Sequence, residues 1–186
     1  MKKIISTVLC ILMIVTMAIP AFAVSGKIAY PSTLNDSKLE KVSHNNNYVV
    51  VPKDIKSAEI EFTAPKDASV YIWFEDTASK NKNCFSIFMT PGRQKAFAAP
   101  AGCYNIQYAY GDTWYGPEYL FGSETKYIAI NGDVDFSTTN SNGYVYYSSW
   151  TVSELSTDPD TYGYTYEIDE TEFKAFDHPE LLKDAQ

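Results

Sequence analysis

The residues best suited to bind a ligand lie in one short stretch of the chain. Residues 100–122 read PAGCYNIQYAYGDTWYGPEYLFG, in which Trp114 and Tyr115 stand between Asp112 and Glu118. Two aromatic rings with carboxylates beside them could stack on a sugar ring and accept hydrogen bonds from its hydroxyl groups. The alternative is structural, because Trp and Tyr bury large areas in small β-domains. The Trp114 indole would then plug one end of the fold.

The same stretch resembles a β-domain of uncharacterised secreted or membrane-anchored bacterial proteins. Their shared pattern is roughly P-A-G-x-Y-x-x-x-Y-x-x-G-x-x-W-Y-G followed by L-F-G. The matching positions are Pro100, Ala101, Gly102, Tyr104, Tyr108, Gly111, Trp114, Tyr115, Gly116, Leu120, Phe121 and Gly122. The resemblance implies a β-fold and carries no activity with it.

An acidic segment near the C-terminus partly follows the spacing of a calcium-binding loop. It begins with Asp158 and Asp160, and Asp169 stands at its twelfth place. Tyr162 occupies a position that needs an oxygen ligand, and an aspartate replaces the usual bidentate glutamate. We therefore expect no metal site and no cofactor.

Nucleophilic catalysis is not indicated either. His44 and His178 are the only imidazoles, and both lie in polar flanks where nothing in the sequence places them beside a nucleophile and an acid. Acidic residues are plentiful enough to supply the carboxylate pair of a glycan-active enzyme, but abundance alone does not indicate one. We expect a non-catalytic protein.

The N-terminus has the three parts of an export signal. Lysines at positions 2 and 3 precede a nearly uncharged apolar run over residues 4–18, and Pro20 precedes Ala21-Phe22-Ala23, which fits the A-x-A cleavage pattern. The alternative is an uncleaved anchor, since a bilayer span needs only about 20 apolar residues. Pro20 and the small residues favour cleavage after Ala23. The mature protein would then be secreted or held in the cell envelope, with no membrane span.

Cleavage would remove Cys10 and leave Cys84 and Cys103. Two thiols in a small exported domain predict a disulfide between them. The alternative is two separate thiols, because sequence does not show that the two segments are neighbours.

The negative charge is concentrated at the C-terminal end. The whole chain has a formal net charge of −8, and residues 151–186 hold 10 acidic against 2 basic residues. The chain has a single arginine, Arg93. Nucleic-acid binding needs clustered cations, so this class of partner is excluded.

Short runs of alternating apolar residues predict strands throughout the central part of the chain. Ile60 and Phe62 share one face of such a run, as do Val70, Ile72 and Phe74 of the next. Tyr104, Ile106, Tyr108 and Tyr110 form an aromatic stripe. The predicted strands cover residues 47–51, 58–62, 70–75, 85–89, 95–98, 103–110, 127–130, 134–136 and 144–151.

Two Asn-Gly pairs, Asn131-Gly132 and Asn142-Gly143, predict tight hairpins between later strands. For the first we prefer a three-residue loop, which would pair Ile130 with Val134. Seven to nine short strands with almost no helical pattern indicate an all-β fold. We expect a single small antiparallel β-sandwich of the Ig-like or prealbumin-like kind.

The predicted organisation is a signal peptide over residues 1–23, a polar lead-in over 24–45, the β-sandwich over 46–152 and an acidic tail over 153–186. We expect the tail to add an edge strand near residues 162–168. The favoured function is a module that binds a glycan or an exported protein at the cell surface. The alternative is an accessory subunit of an exported complex, in which the acidic tail contacts the partner.

Overall fold

The computed structural model describes residues 31–33, 36–38, 49–50, 57–78, 84–136, 138–142, 144–147, 149–152, 154–159 and 163–183. The expected signal peptide, most of the polar lead-in and His44 lie outside these residues. The described part of the chain is mostly β, with antiparallel sheets and very little helix. Its strands are β1 Val49–Val50, β2 Ser57–Thr63, β3 Ser69–Asp76, β4 Phe85–Met89, β5 Gln94–Pro100, β6 Gly102–Gly111, β7 Lys126–Ile130, β8 Val134–Phe136, β9 Thr138–Ser141, β10 Tyr144–Tyr147, β11 Ser149–Val152 and β12 Thr165–Ile168.

The helical elements are short. Four 3₁₀ turns and one five-residue α-helix, α1, occur in the described residues. They are Pro31–Thr33, Asp36–Lys38, Gly122–Glu124, Lys174–Asp177 and α1 Pro179–Lys183.

The largest sheet has the strand order β1-β4-β3-β6-β7-β12, and β8 also pairs with β6. All of its pairs are antiparallel. β3 lies inside this sheet and is buried at every position from Ser69 to Asp76. Successive side chains of a strand point to opposite faces, so a strand buried throughout belongs to a sheet that is covered on both faces.

A smaller sheet of order β11-β2-β5 covers one face of the large sheet. Ile60 and Phe62 of β2 pack with Val70, Ile72 and Phe74 of β3 in one buried cluster. These are the residues that alternation in the sequence places inward. Burial of side chains of this size contributes about 1.5–3 kcal/mol each.

The sequence predicts an antiparallel fold throughout, but one strand pair in the described residues is parallel. β11 runs parallel to β2, with Trp150 opposite Ile60, while β5 pairs with the other side of β2 in the antiparallel sense. Alternation shows which residues share a face and leaves strand direction undetermined, which is why the parallel pair was not predicted.

The C-terminal segment covers much of the second face. Ile168, Phe173, Ala175 and Leu182 are buried with Tyr71, Trp73, Phe88, Trp114 and Tyr127 in a second cluster. β12 adds to the edge of the large sheet through β7, with Ile168 opposite Tyr127. The acidic segment thus carries apolar side chains at intervals, and these side chains pack against the sheet.

The first Asn-Gly pair does not close the predicted hairpin. β7 and β8 both pair with β6 in the same sense, so the chain continues along β6 through Asn131 and Gly132. Gly132 has a φ of 80°, and the Asn131 N–H donates to the Tyr164 carbonyl at 2.7 Å. The segment between β7 and β8 has more residues than the part of β6 opposite it, so it forms a bulge. The chain just before β12 accepts the hydrogen bond of the Asn131 N–H in this bulge. The strands on either side of the second pair, β9 and β10, are antiparallel neighbours, with Tyr144 opposite Ser141.

Among the described residues, no helix combines the length and apolar character that crossing a bilayer requires.

Candidate functional site

A cavity of about 500 Å³ lies beside the end of β6. The turn that follows this strand supplies Asp112, Thr113 and Tyr115 to its lining, and Asp67 and Tyr110 also line it. The turn is held by short backbone hydrogen bonds, since the Tyr115 N–H donates to the Leu120 carbonyl at 2.8 Å. Gly116, with a φ of 98°, allows the chain to reverse there.

Of the ligand residues that the sequence predicts, only some line this cavity. Asp112 is exposed and Tyr115 is half-buried, and both line the cavity. Glu118 is half-buried and is not part of the lining.

Trp114 cannot present its ring to a ligand. It is only 1% exposed. Its ring centroid lies 5.5 Å from that of Tyr71, 4.4 Å from that of Phe88 and 5.2 Å from that of Phe121. The structural interpretation applies to this residue, and its assignment as a ligand-binding residue is corrected. Gly111 permits this packing, because a Cβ there would lie 2.6 Å from the Phe121 Cβ.

The cavity is acidic. In the described part of the chain, its charged lining residues are Asp36, Asp67, Asp112, Glu124 and one cation, Lys126. Asp36 is partly engaged, since its carboxylate accepts hydrogen bonds from the Ser123 N–H at 2.9 Å and the Ser123 hydroxyl at 3.1 Å. The other three carboxylates belong to exposed residues.

Tyr110 lies at the wall of this cavity and donates its hydroxyl to the Thr157 carbonyl at 2.8 Å. Burial raises the pKa of Tyr110, and the carboxylates of Glu167, Asp158 and Asp67 raise it further. The phenol is therefore a neutral hydrogen-bonding group at ordinary pH.

A second cluster of reactive side chains lies on the other covered face of the large sheet. Glu75 of β3, Cys84 immediately before β4, and His178 before α1 meet there. The Cys84 Sγ lies 3.4 Å from Glu75 Oε2 and 4.0 Å from His178 Nε2. His178 Nε2 lies 3.1 Å from Glu75 Oε2.

The surroundings of this cluster hold it in place. The Trp73 indole N–H donates to Glu75 Oε2 at 3.1 Å, and the Trp73 ring lies 5.5 Å from the His178 ring at an angle of 30°. His178 Nδ1 faces Glu180 Oε1 at 3.6 Å. Thiol, imidazole and carboxylate are the side chains that bind transition metals.

Sequence reasoning did not find this cluster. His178 and Glu75 are separated by 103 residues, and the C-terminal segment brings them together only when it packs on the sheet. One signal was present, because Glu75 interrupts an apolar strand at a position where its i−2 neighbour is Trp73. Expected as half of a disulfide, Cys84 belongs instead to this cluster.

The predicted Cys84–Cys103 disulfide is wrong for this structure, in which both residues are reduced. β3 lies between β4 and β6, so the two residues are at least two strand spacings apart, more than about 9 Å. A disulfide spans Cα separations of roughly 4.4–6.8 Å. The Cys103 Sγ instead lies 3.9 Å from Asp133 Oδ2.

The segment compared with a calcium loop is only partly described, since Asp160 and Tyr162 lie outside the described residues. Asp169 closes a turn, because its carboxylate accepts hydrogen bonds from the hydroxyl and N–H groups of Thr171. These hydrogen bonds hold the pKa of Asp169 below its usual range.

No family model, curated protein or solved structure matches the chain. The resemblance drawn from residues 100–122 therefore stays a prediction.

Proposed function

We propose that this chain is an exported, non-catalytic binding module that takes a neutral glycan in the cavity beside Tyr115. One observation supports the proposal most directly. Tyr115, Asp112, Tyr110 and Asp67 all line the same cavity. Tyr115 and Asp112 are also residues that the sequence pattern favours for ligand binding.

The size of the cavity suits a small ligand. Pockets for small molecules have volumes of about 300–1,000 Å³ and combine apolar surface with a few polar groups that fix orientation. A volume of about 500 Å³ accommodates one or two sugar units. The half-buried Tyr115 ring offers a stacking surface, and the Asp67 and Asp112 carboxylates accept hydrogen bonds from hydroxyl groups.

Charge narrows the class of glycan. Among the described residues, four carboxylates and one ammonium group line the cavity, so an anionic ligand would meet repulsion. Neutral polysaccharides are favoured over polymers that carry uronate or phosphate groups.

The architecture is compatible with this role. The packing of the three-stranded sheet on the larger one supports an Ig-like or prealbumin-like sandwich, in which loops at one end form the binding surface. Export after cleavage at Ala23 remains part of the proposal, and N-terminal sequencing of the secreted protein tests it.

The rival function, an accessory subunit that reaches its partner with a free acidic tail, has less support. Ile168, Phe173 and Leu182 are buried against the sheet, so the described part of the tail belongs to the folded domain.

The test is retention of residues 24–186 on immobilised neutral and anionic polysaccharides. We expect retention on a neutral polymer and at least about a tenfold loss of affinity for Tyr115→Ala, equivalent to about 1.4 kcal/mol. Tyr166→Ala is the matched control, because Tyr166 is 47% exposed and does not line the cavity. No retention on any neutral polymer, or equal retention of Tyr115→Ala and wild type, would contradict the proposal.

A further inference from the structure

We infer that Glu75, Cys84 and His178 form a metal site for Zn²⁺, which ties the C-terminal segment to the central sheet. The site is separate from the cavity beside Tyr115 and does not depend on the glycan proposal. It arises where the end of β3 and the residue before β4, which are close in the chain, meet the residue before α1, which lies more than 90 positions further along.

The donor atoms are spaced as a zinc ion requires. Zinc bonds of about 2.3 Å to sulfur and about 2.0–2.2 Å to nitrogen and oxygen, at tetrahedral angles, place the ligand atoms about 3.3–3.6 Å apart. The three separations here are 3.4, 3.1 and 4.0 Å. Each edge of the triangle is within about half an ångström of the tetrahedral value, so small side-chain adjustments complete the geometry.

The donor set selects the kind of metal. One sulfur, one imidazole nitrogen and one carboxylate oxygen suit a borderline cation such as Zn²⁺, whereas Ca²⁺ and Mg²⁺ prefer oxygen ligands. Binding releases the thiol proton of Cys84 to solvent, because the thiolate is the ligand form.

Burial of the cluster favours a bound cation. Glu75 is 8% exposed and Cys84 is 6% exposed. A carboxylate in such surroundings is costly unless a positive charge or hydrogen bonds compensate it. A divalent ion would neutralise both the Glu75 carboxylate and the Cys84 thiolate.

The surrounding residues have the arrangement of an outer shell. Metal-bound histidines usually direct their second nitrogen at a carboxylate or carbonyl group. Here Nε2 faces the cluster, and Nδ1 faces the Glu180 carboxylate at 3.6 Å. The Trp73 N–H orients the Glu75 carboxylate, and its ring restricts the imidazole plane.

A nucleophilic cysteine is the rival interpretation, and the geometry disfavours it. The His178 Nε2 that would have to accept the thiol proton lies closer to Glu75, at 3.1 Å, than to the sulfur, at 4.0 Å. The neighbouring carboxylate also opposes a second negative charge on Cys84. A thiol with 6% exposure is poorly placed to meet a substrate.

The experiment uses the secreted chain, treated with a chelator and then titrated with Zn²⁺ or with Co²⁺ as a spectroscopic probe. We expect one equivalent of Zn²⁺ to bind and to raise the unfolding temperature. We also expect Co²⁺ to give a thiolate-to-cobalt charge-transfer band. Cys84→Ser should abolish that band, and His178→Gln should weaken Zn²⁺ affinity by more than about 100-fold, beyond the usual effect of an outer-shell change.

The control is Cys103→Ser, which removes the other thiol and should leave the band and the Zn²⁺ affinity unchanged. Circular dichroism of each variant checks its fold. If Cys84→Ser fails to fold, His178→Gln decides, because the His178 side chain, at 13% exposure, is only partly buried and its replacement is less disruptive. The inference is overturned if wild type binds no Zn²⁺, if the band survives Cys84→Ser, or if His178→Gln binds Zn²⁺ as tightly as wild type.

Discussion

The indole N–H of Trp73 donates a hydrogen bond of 3.1 Å to Oε2 of Glu75, and both side chains are buried. The two residues are adjacent on one face of β3, because side chains at i and i+2 of a strand point the same way. This pairing gives a charged group a partner inside an otherwise aromatic cluster.

The pairing predicts a measurable coupling. Trp73→Phe should lower the free energy of unfolding by about 1.5–3 kcal/mol, the range for a hydrogen bond to a charged group. In the background of Glu75→Gln the same substitution should have a smaller effect. Urea denaturation of the four proteins measures the coupling. Equal losses in both backgrounds would show that Trp73 acts through packing alone.

The C-terminal segment should behave as part of the core. Phe173 is buried, and its ring lies 5.1 Å from that of Tyr127 and 5.5 Å from that of Phe176. Phe173→Ala should therefore lower the free energy of unfolding by about 3–5 kcal/mol. Tyr166→Ala, on the exposed side of β12, should change it by no more than about 0.5 kcal/mol. Similar stability of the two variants would place the segment outside the core.

Buried tyrosine should limit stability at high pH. Burial raises the pKa of Tyr71, which is fully enclosed, above the unfolded value of about 10. The stabilisation that the neutral phenol provides is complete below pH about 10 and is lost as the pH rises beyond that, because the unfolded chain ionises first. We expect Tyr71→Phe to weaken this alkaline loss. Unfolding free energies between pH about 8 and 11.5 test the point, with Tyr166→Phe as the exposed control.

Both thiols should react with a thiol reagent in the absence of a reductant. After unfolding, the secreted protein should react with two equivalents of a thiol reagent per chain. In the native state Cys103, which is half-buried, should react before Cys84, which is 6% exposed. The appearance of thiols only after reduction would indicate a disulfide instead.

Alternation in the sequence was sufficient to predict the inward faces of the sheets. Val70, Ile72 and Phe74 were placed on one face, and all three pack in the core with Ile60 and Phe62. The same pattern put Tyr71 and Trp73 on the opposite face. It did not say what covers that face, because period-two alternation is local and the covering residues lie much further along the chain, from Trp114 to Leu182.

Local sequence predicts one of the two candidate sites and not the other. Asp112 and Tyr115 were found because they share a short turn, so local sequence places them together. Glu75 and His178 meet only through tertiary packing. The Asn131-Gly132 pair failed as a hairpin signal for a similar reason, since a partner strand, β6, was available on both sides of it.

The parallel pairing of β11 with β2 has a kinetic consequence. Ser149 lies opposite Glu59, so the contact joins residues 90 positions apart, and contacts of such high sequence separation slow folding to the range of milliseconds to seconds. Until β11 docks, β2 is an open strand edge that carries Ile60 and Phe62. An exposed strand edge of this kind makes folding intermediates prone to aggregate, so refolding yield should fall as protein concentration rises.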